Sequence, residues 1–162
     1  MNKLLLISVI SEVKSMSYSD RELLARIIKC EAGGEGDNGM KAVATVIMNR
    51  VNVPYGEYQR LGQGSIRNIL YQKGQFDCMY SELRGVANPQ TIWANPPEQI
   101  HYDIADWAIA GNKLFTAGWS LWYFNPFRPV CPDIFPRNGV GGLQVKVGLH
   151  CFYNPTELYA QT

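Results

Sequence analysis

The chain has 162 residues, of which 46% are hydrophobic and 12% aromatic, and its formal net charge is +1. This length suits one globular domain that can bury a substantial core. Because the charge is close to neutral and lysine and arginine form no cluster, the composition argues against a nucleic-acid-binding protein. No apolar run reaches the length of about 20 residues that a membrane span needs.

The N-terminal residues precede the first well-marked helix. Lys3 and the apolar run over residues 4–10 look like the start of a secretory signal, but the run is at the short limit and no small-x-small cleavage site follows. We therefore favour an N-terminal extension over residues 1–18, packed on the domain, and a single domain over residues 19–162.

A helix-start motif comes next. Ser19 and Glu22 have the spacing of a capping box and stand directly before an apolar run, which predicts a helix and fixes its phase. The pair Gly33-Gly34 marks the end of this helix.

Glu31 lies in the last turn of the predicted helix. It follows Ile27 and Ile28 by one turn, so its carboxyl group projects from the apolar face. Desolvation there raises the pKa of a carboxylic acid, which lets the acid hold a proton near neutral pH and donate it to a leaving group. The alternative is a residue that points to solvent at a frayed helix end.

The rest of the chain predicts three more helices and two strands. The helices cover about 39–50, 65–71 and 95–111, the first of them capped by Asp37 or Asn38. Residues 52–64, rich in glycine, proline and tyrosine, are predicted to form a loop. The strands cover 120–125 and 145–153, and each runs into an Asn-Pro pair that stops it, because proline cannot extend a ladder.

Blocks of sequence in a fixed order carry a family resemblance. They are residues 25–51, with the string Glu-Ala-Gly-Gly-Glu-Gly, and residues 69–76, 120–126 and 148–155. Together they resemble the SleB/CwlJ family of spore cortex-lytic cell wall hydrolases. The Cys131-Pro132 step and the string His-Cys-Phe-Tyr at 150–153 resemble the CwlJ branch more than the SleB branch.

The resemblance implies an α+β fold, mainly helical and similar to the lysozyme and lytic transglycosylase group, with a small antiparallel sheet. It implies cleavage of glycosidic bonds in the glycan strands of spore cortex peptidoglycan during germination, with Glu31 as the general acid. It also implies a place at the spore coat or cortex boundary after synthesis in the mother cell, a coat protein as partner, and activation by calcium dipicolinate. No cofactor is expected.

Further side chains are candidates for substrate contact. Gln75 and Phe76 follow a glycine-opened loop that brings backbone and amide groups close to a ligand. On the first predicted strand, Tyr123 and Asn125 share a face that could line a cleft. His150 is also a candidate, although a lone histidine between leucine and cysteine is more often a hydrogen-bonded structural residue.

A second carboxylate decides the reaction type, since glycoside hydrolysis normally uses two. Glu35 is nearest in sequence to Glu31, but the Gly33-Gly34 break removes any helical reason for it to face Glu31, and the alternative is a charge at the start of the next helix. If Glu31 serves alone, it acts first as acid and then as base on a hydroxyl of the sugar itself, as in a lytic transglycosylase. Hydrolysis remains the alternative reaction at this point.

The cysteines, Cys30, Cys78, Cys131 and Cys151, are scattered without a CxxC pair, so no metal site is expected. Cys131 and Cys151 match positions of the CwlJ pattern, and a disulfide between them is the candidate bridge. Two rival functions remain: a catalytically inactive peptidoglycan-binding module, and a spore-coat structural protein held by disulfides. The environment of Glu31 argues against both.

Overall fold

The computed structural model describes residues 18–162, so the predicted extension over residues 1–18 lies outside the described residues except for Tyr18. The α-helices of the described part are α1 Asp20–Ala32, α2 Gly36–Asn52, α3 Gly56–Gly62, α4 Ile66–Leu70 and α5 Gln99–Ile109. Short 3₁₀ helices lie at Asp77–Met79, Phe115–Ala117 and Glu157–Gln161. None of the helices in residues 18–162 combines the length and apolar character that a membrane span requires.

The strands form two antiparallel units. A two-stranded ribbon joins β1 Glu82–Leu83 to β2 Val86–Ala87, and a three-stranded sheet contains β3 Trp122–Phe124, β4 Gly141–Val147 and β5 His150–Pro155. The order of the larger sheet is β3-β5-β4, so β5 lies in the centre. The predicted α+β class, mainly helical with a small antiparallel sheet, is confirmed.

The core surrounds α2. Val43, Ala44 and Ile47 on this helix have no exposed surface, and α1 packs against it through side chains such as Leu24 and Ile28, which are equally buried. The sequence of α2 is apolar on nearly every side because the helix contacts α1, α5 and the sheet. This packing fixes the rotation of α1 and the direction of its last turn.

The predicted start of α1 is correct in part. The Ser19 hydroxyl accepts a hydrogen bond from the backbone N–H of Glu22 at 3.1 Å, which caps the helix. The Glu22 carboxylate, however, binds Arg26 at 2.9 Å. Arg26 donates to the backbone oxygen of Ile92, so this part of the motif ties α1 to a distant loop.

Other element boundaries differ from the prediction. The predicted strand over 145–153 is a hairpin, because Gly148 adopts a φ of +57° and reverses the chain between β4 and β5. The predicted loop over 52–64 contains α3. The second helix begins at Gly36, and Asp37 forms an ion pair with Lys41 at 2.8 Å one turn on.

A glycine of β4 gives a stability prediction. A Cβ at Gly141 would lie 2.1 Å from the backbone oxygen of Phe135 and 2.9 Å from the Trp122 ring, so Gly141→Ala forces the backbone apart. We expect a loss of roughly 1–3 kcal/mol in the free energy of unfolding, measured by urea denaturation. Gly142→Ala is the matched control, since its Cβ meets only a Thr156 methyl group at 3.5 Å. Equal midpoints for the two variants would contradict the packing described.

Candidate active site

Glu31 lies in the last turn of α1 and lines a cavity. A Cβ at Gly33 would lie 2.4 Å from the backbone oxygen of Lys29, so only glycine fits at this close turn, whereas the space beside Gly34 is open. The cavity has a volume of about 360 Å³. Its lining residues come from α1, the turn after it, α2, a loop and the start of α5: Lys29, Cys30, Glu31, Ala32, Gly33, Gly34, Glu35, Met40, Gln90, Glu98, Ile100 and His101.

Each oxygen of the Glu31 carboxyl group has a protein partner. The Tyr123 hydroxyl, on β3, donates a hydrogen bond to Oε2 at 3.0 Å. The Cys78 thiol, on a 3₁₀ helix, lies 3.5 Å from Oε1 and donates to it. Residues distant in sequence therefore hold the carboxyl group in one orientation.

The pKa of Glu31 is raised. Burial of the carboxyl group is the largest cause, and the hydrogen bonds from Tyr123 and Cys78 and the charges of His150 and Arg50 oppose it only in part. Burial also raises the pKa of Tyr123 well above its usual value, so its hydroxyl keeps its proton and remains a donor. Burial therefore favours the protonated, neutral form of the Glu31 carboxyl group.

The side chains of Glu35 and His150 contact each other near the carboxyl group of Glu31. Glu35 Oε2 lies 2.6 Å from His150 Nδ1, with side chains only 11% and 16% exposed. Glu35 Oε1 accepts a hydrogen bond from the backbone N–H of Leu149 at 3.0 Å. The His150 ring stands edge-on to the Tyr123 ring, with centroids 5.4 Å apart, so contacts run from Glu35 through His150 and Tyr123 to Glu31.

A second cavity, of about 350 Å³, is lined by Tyr123. Gln75 lines it together with Arg50 and Tyr58, and Gln75 Oε1 accepts from the Arg50 guanidinium at 3.3 Å. Because Tyr123 lines this cavity and binds Glu31 of the first, the Glu31–Tyr123 pair stands between the two.

Two predicted contact residues lie elsewhere. Phe76 is only 2% exposed because its ring packs in the core near the guanidinium of Arg50, so this structure does not bring it to either cavity. Asn125 accepts a hydrogen bond from the backbone N–H of Phe127 at 2.7 Å and closes a turn after β3. It is not among the residues that line either cavity, so this structure does not bring it to the site.

Arg50, near the end of α2, is a site residue that was not among the candidates from the sequence. It is 5% exposed, donates to the backbone oxygen of Leu121 at 2.7 Å and lies 4.8 Å from the centre of the Tyr58 ring. These contacts join α2 to the residue before β3 and to α3, and no local pattern could have predicted them.

The cysteines fall into two pairs. Cys131 and Cys151 form a disulfide, the pair that the resemblance suggested. Cys30 and Cys78 are free, and their sulfur atoms and a Glu31 oxygen all lie within 4.8 Å of one another. The hydrogen bond with Cys30, burial and the neighbouring Glu31 all raise the pKa of the Cys78 thiol. Thiol and carboxyl groups are side chains of the kind that bind metal ions. No sign of this cluster is visible in the sequence, because it contains no CxxC pair.

The sequence model of the family described as Cell Wall Hydrolase matches residues 34–153. The chain belongs to the cell wall hydrolase family. The matched range takes in Glu35, Tyr123 and His150 and begins just after Glu31.

Named relatives agree with membership of the cell wall hydrolase family. The chain is 29% identical to the cell wall hydrolase CwlJ of Halalkalibacterium halodurans over 85% of this chain and 86% of that protein. It is 30% identical to the spore cortex-lytic enzyme of Bacillus subtilis over 84% of this chain, which corresponds to only 38% of that longer protein.

A solved structure shares the fold. The catalytic domain of the germination-specific lytic transglycosylase SleB from Bacillus anthracis superposes with a TM-score of 0.60, at 23% identity, over 85% of this chain and 98% of that one. The cell wall hydrolase described here therefore has the lysozyme-like fold that the resemblance implied.

Proposed function

We propose that this protein cleaves glycosidic bonds in the glycan strands of spore cortex peptidoglycan during germination, with Glu31 as general acid. The observation that carries the proposal is the Glu31 carboxyl group, held by Tyr123 and Cys78 at the boundary between two cavities. The names of the relatives, a cell wall hydrolase, a spore cortex-lytic enzyme and a germination-specific lytic transglycosylase, support the substrate and the setting. The same names favour action at the spore coat or cortex boundary.

The two cavities suit a polymer that continues on both sides of the bond to be cut. Sugar units of one strand would occupy the cavity beside Gly34 and the cavity beside Gln75, which places the linking oxygen at Glu31. Tyr58 and Gln75 supply an aromatic surface and an amide in the second cavity, the mixture of apolar and polar groups typical of ligand sites.

Proton donation would proceed from one oxygen. Oε2 accepts from the Tyr123 hydroxyl and Oε1 only from the weaker thiol donor of Cys78, so Oε1 is the oxygen that would carry the proton of the neutral acid. Glu31 would transfer this proton to the glycosidic oxygen as the bond to the anomeric carbon breaks. The raised pKa favours the neutral, protonated form of Glu31 before that step.

The neighbouring carboxylates favour a single-acid reaction. Both oxygens of Glu35 are engaged, by His150 and by the N–H of Leu149, and Glu98 caps the start of α5. Neither is a free base to activate water, as a two-carboxylate hydrolase requires. Glu31, once ionised, would then accept a proton from the primary hydroxyl of the same sugar, whose oxygen closes onto the anomeric carbon as an anhydro product. Hydrolysis would instead need Glu35 to leave His150.

Substrate preference gives a test. The second cavity is lined by the rings of Trp122, Tyr123 and Phe135 as well as by Arg50 and Glu57, and the rings would suit a glycan with few charged peptide stems. We expect faster release of soluble fragments from purified cortex peptidoglycan than from vegetative cell walls, measured by turbidity loss. Equal rates would mean that location, and not this domain, restricts the substrate. Binding without any release from either material would favour the inactive binding module.

A further inference from the structure

Three possible metal ligands converge at the end of α1. The Sγ atoms of Cys30 and Cys78 and a carboxylate oxygen of Glu31 lie within 4.8 Å of one another, and neither cysteine takes part in a disulfide. Thiolates and carboxylates are both ligands of Zn²⁺, and sites with three protein ligands keep the fourth position for water.

The spacing of these atoms suits a tetrahedral ion. With Zn–S of about 2.3 Å and Zn–O of about 2.0 Å, tetrahedral geometry separates sulfur and oxygen by about 3.5 Å. Cys78 Sγ and Glu31 Oε1 are 3.5 Å apart. The other oxygen, Oε2, receives the Tyr123 hydrogen bond at 3.0 Å, the kind of outer contact that orients a ligating carboxylate.

The cluster has an entry path and a suitable charge. Cys30 and Glu31 line the cavity of about 360 Å³, so an ion can reach them from solvent. Two thiolates and one carboxylate exceed the charge of a divalent cation by one, and Arg50 and His150 are near enough to act electrostatically on Glu31. Binding displaces the thiol protons to solvent.

We propose that Cys30, Glu31 and Cys78 form a Zn²⁺ site and that the bound ion inhibits glycan cleavage. Zinc on Oε1 occupies the atom from which the proton would be donated, so the zinc-bound protein lacks its acid. The inhibition rests on the proposed function of Glu31, whereas the binding does not.

Binding is tested on the full chain with both free thiols verified by alkylation and mass spectrometry. Zn²⁺ affinity is measured by competition with a chromophoric chelator, and Co²⁺ is added to detect the absorption of a metal thiolate. We expect a single ion per chain and a thiolate band. Cys30→Ser, and Cys78→Ser as a second variant, are expected to weaken zinc binding by more than the roughly 10- to 100-fold typical of losing an outer contact, and to reduce the band.

Glu35→Gln is the matched control, because Glu35 and His150 form the alternative ligand pair in the same region. Its zinc affinity is expected to equal that of the wild type. No zinc binding by the wild type, unchanged affinity in both serine variants, loss of affinity only in Glu35→Gln, or a Cys30–Cys78 disulfide in the freshly isolated protein would each overturn the site.

Inhibition has its own readout. Fragment release by the wild type is expected to fall as zinc saturates the site and to return after EDTA, while the residual rate of Cys30→Ser does not respond to the same zinc concentration. Zinc binding without inhibition overturns the inhibitory role. A wild type that binds zinc but cleaves no glycan would contradict the proposed function and leave the binding result standing, so the two failures are distinguishable.

Discussion

Replacement of Glu31 by glutamine is expected to lower the rate of fragment release from cortex peptidoglycan by about a hundredfold to ten-thousandfold. The amide has nearly the shape of the carboxyl group, and Tyr123 can still donate to its oxygen, but an amide cannot supply an acid proton of comparable strength. Initial rates of turbidity loss, measured at equal concentrations of the two proteins, give the ratio.

Glu35→Gln is the control for this prediction. It removes a carboxylate that lines the same cavity but is bound to His150 and Leu149, so a smaller loss is expected. Near-ultraviolet circular dichroism verifies that both variants keep the fold. A Glu31→Gln protein that is folded and retains most of its activity would contradict the mechanism.

Removal of the Cys131–Cys151 disulfide, by the double change to serine, is expected to lower the free energy of unfolding by roughly 3 kcal/mol in the chain-entropy model. The bridge closes a loop between residues 20 apart in sequence and ties the segment after β3 to the central strand β5. Urea denaturation of the wild type and the double variant, without reductant, measures the difference.

The presence of the bridge is checked separately. Mass spectrometry of the non-reduced protein, alkylated before digestion, is expected to yield a linked peptide containing both residues. Alkylated forms of Cys131 and Cys151 would contradict it. Cys30→Ser is the control for stability, because Cys30 takes no part in a disulfide and is expected to lose far less.

Local signals predicted the part of the site that lies on α1. The Ser19 cap and the apolar run fixed the start and phase of the helix, and the Gly-Gly pair fixed its end, so the position of Glu31 followed from nearby residues alone. The antiparallel sheet was anticipated from alternation and from the resemblance, although its central hairpin was not. The Gly148 turn is a single residue in a run that otherwise alternates like one strand.

The remaining parts of the site depend on tertiary contacts. Phe76 belongs to the segment after Gly74, where a loop is expected, yet it packs in the core. Arg50, near the end of α2, donates a hydrogen bond to the backbone oxygen of Leu121 in a distant segment. Cys30 and Cys78 have no motif spacing and meet only because a 3₁₀ helix packs against α1. A sequence pattern within one segment cannot predict which residues of another segment its side chains will contact.

The chemical identity of the product tests the central claim most directly. Cortex peptidoglycan is digested in water enriched in heavy oxygen, and the released fragments are analysed by mass spectrometry. If Glu31 acts alone as acid and then base, the new sugar ends are anhydro forms that carry no heavy oxygen, and they are absent from digests with Glu31→Gln. New reducing ends that carry heavy oxygen would show that water is the nucleophile and would contradict the single-acid account.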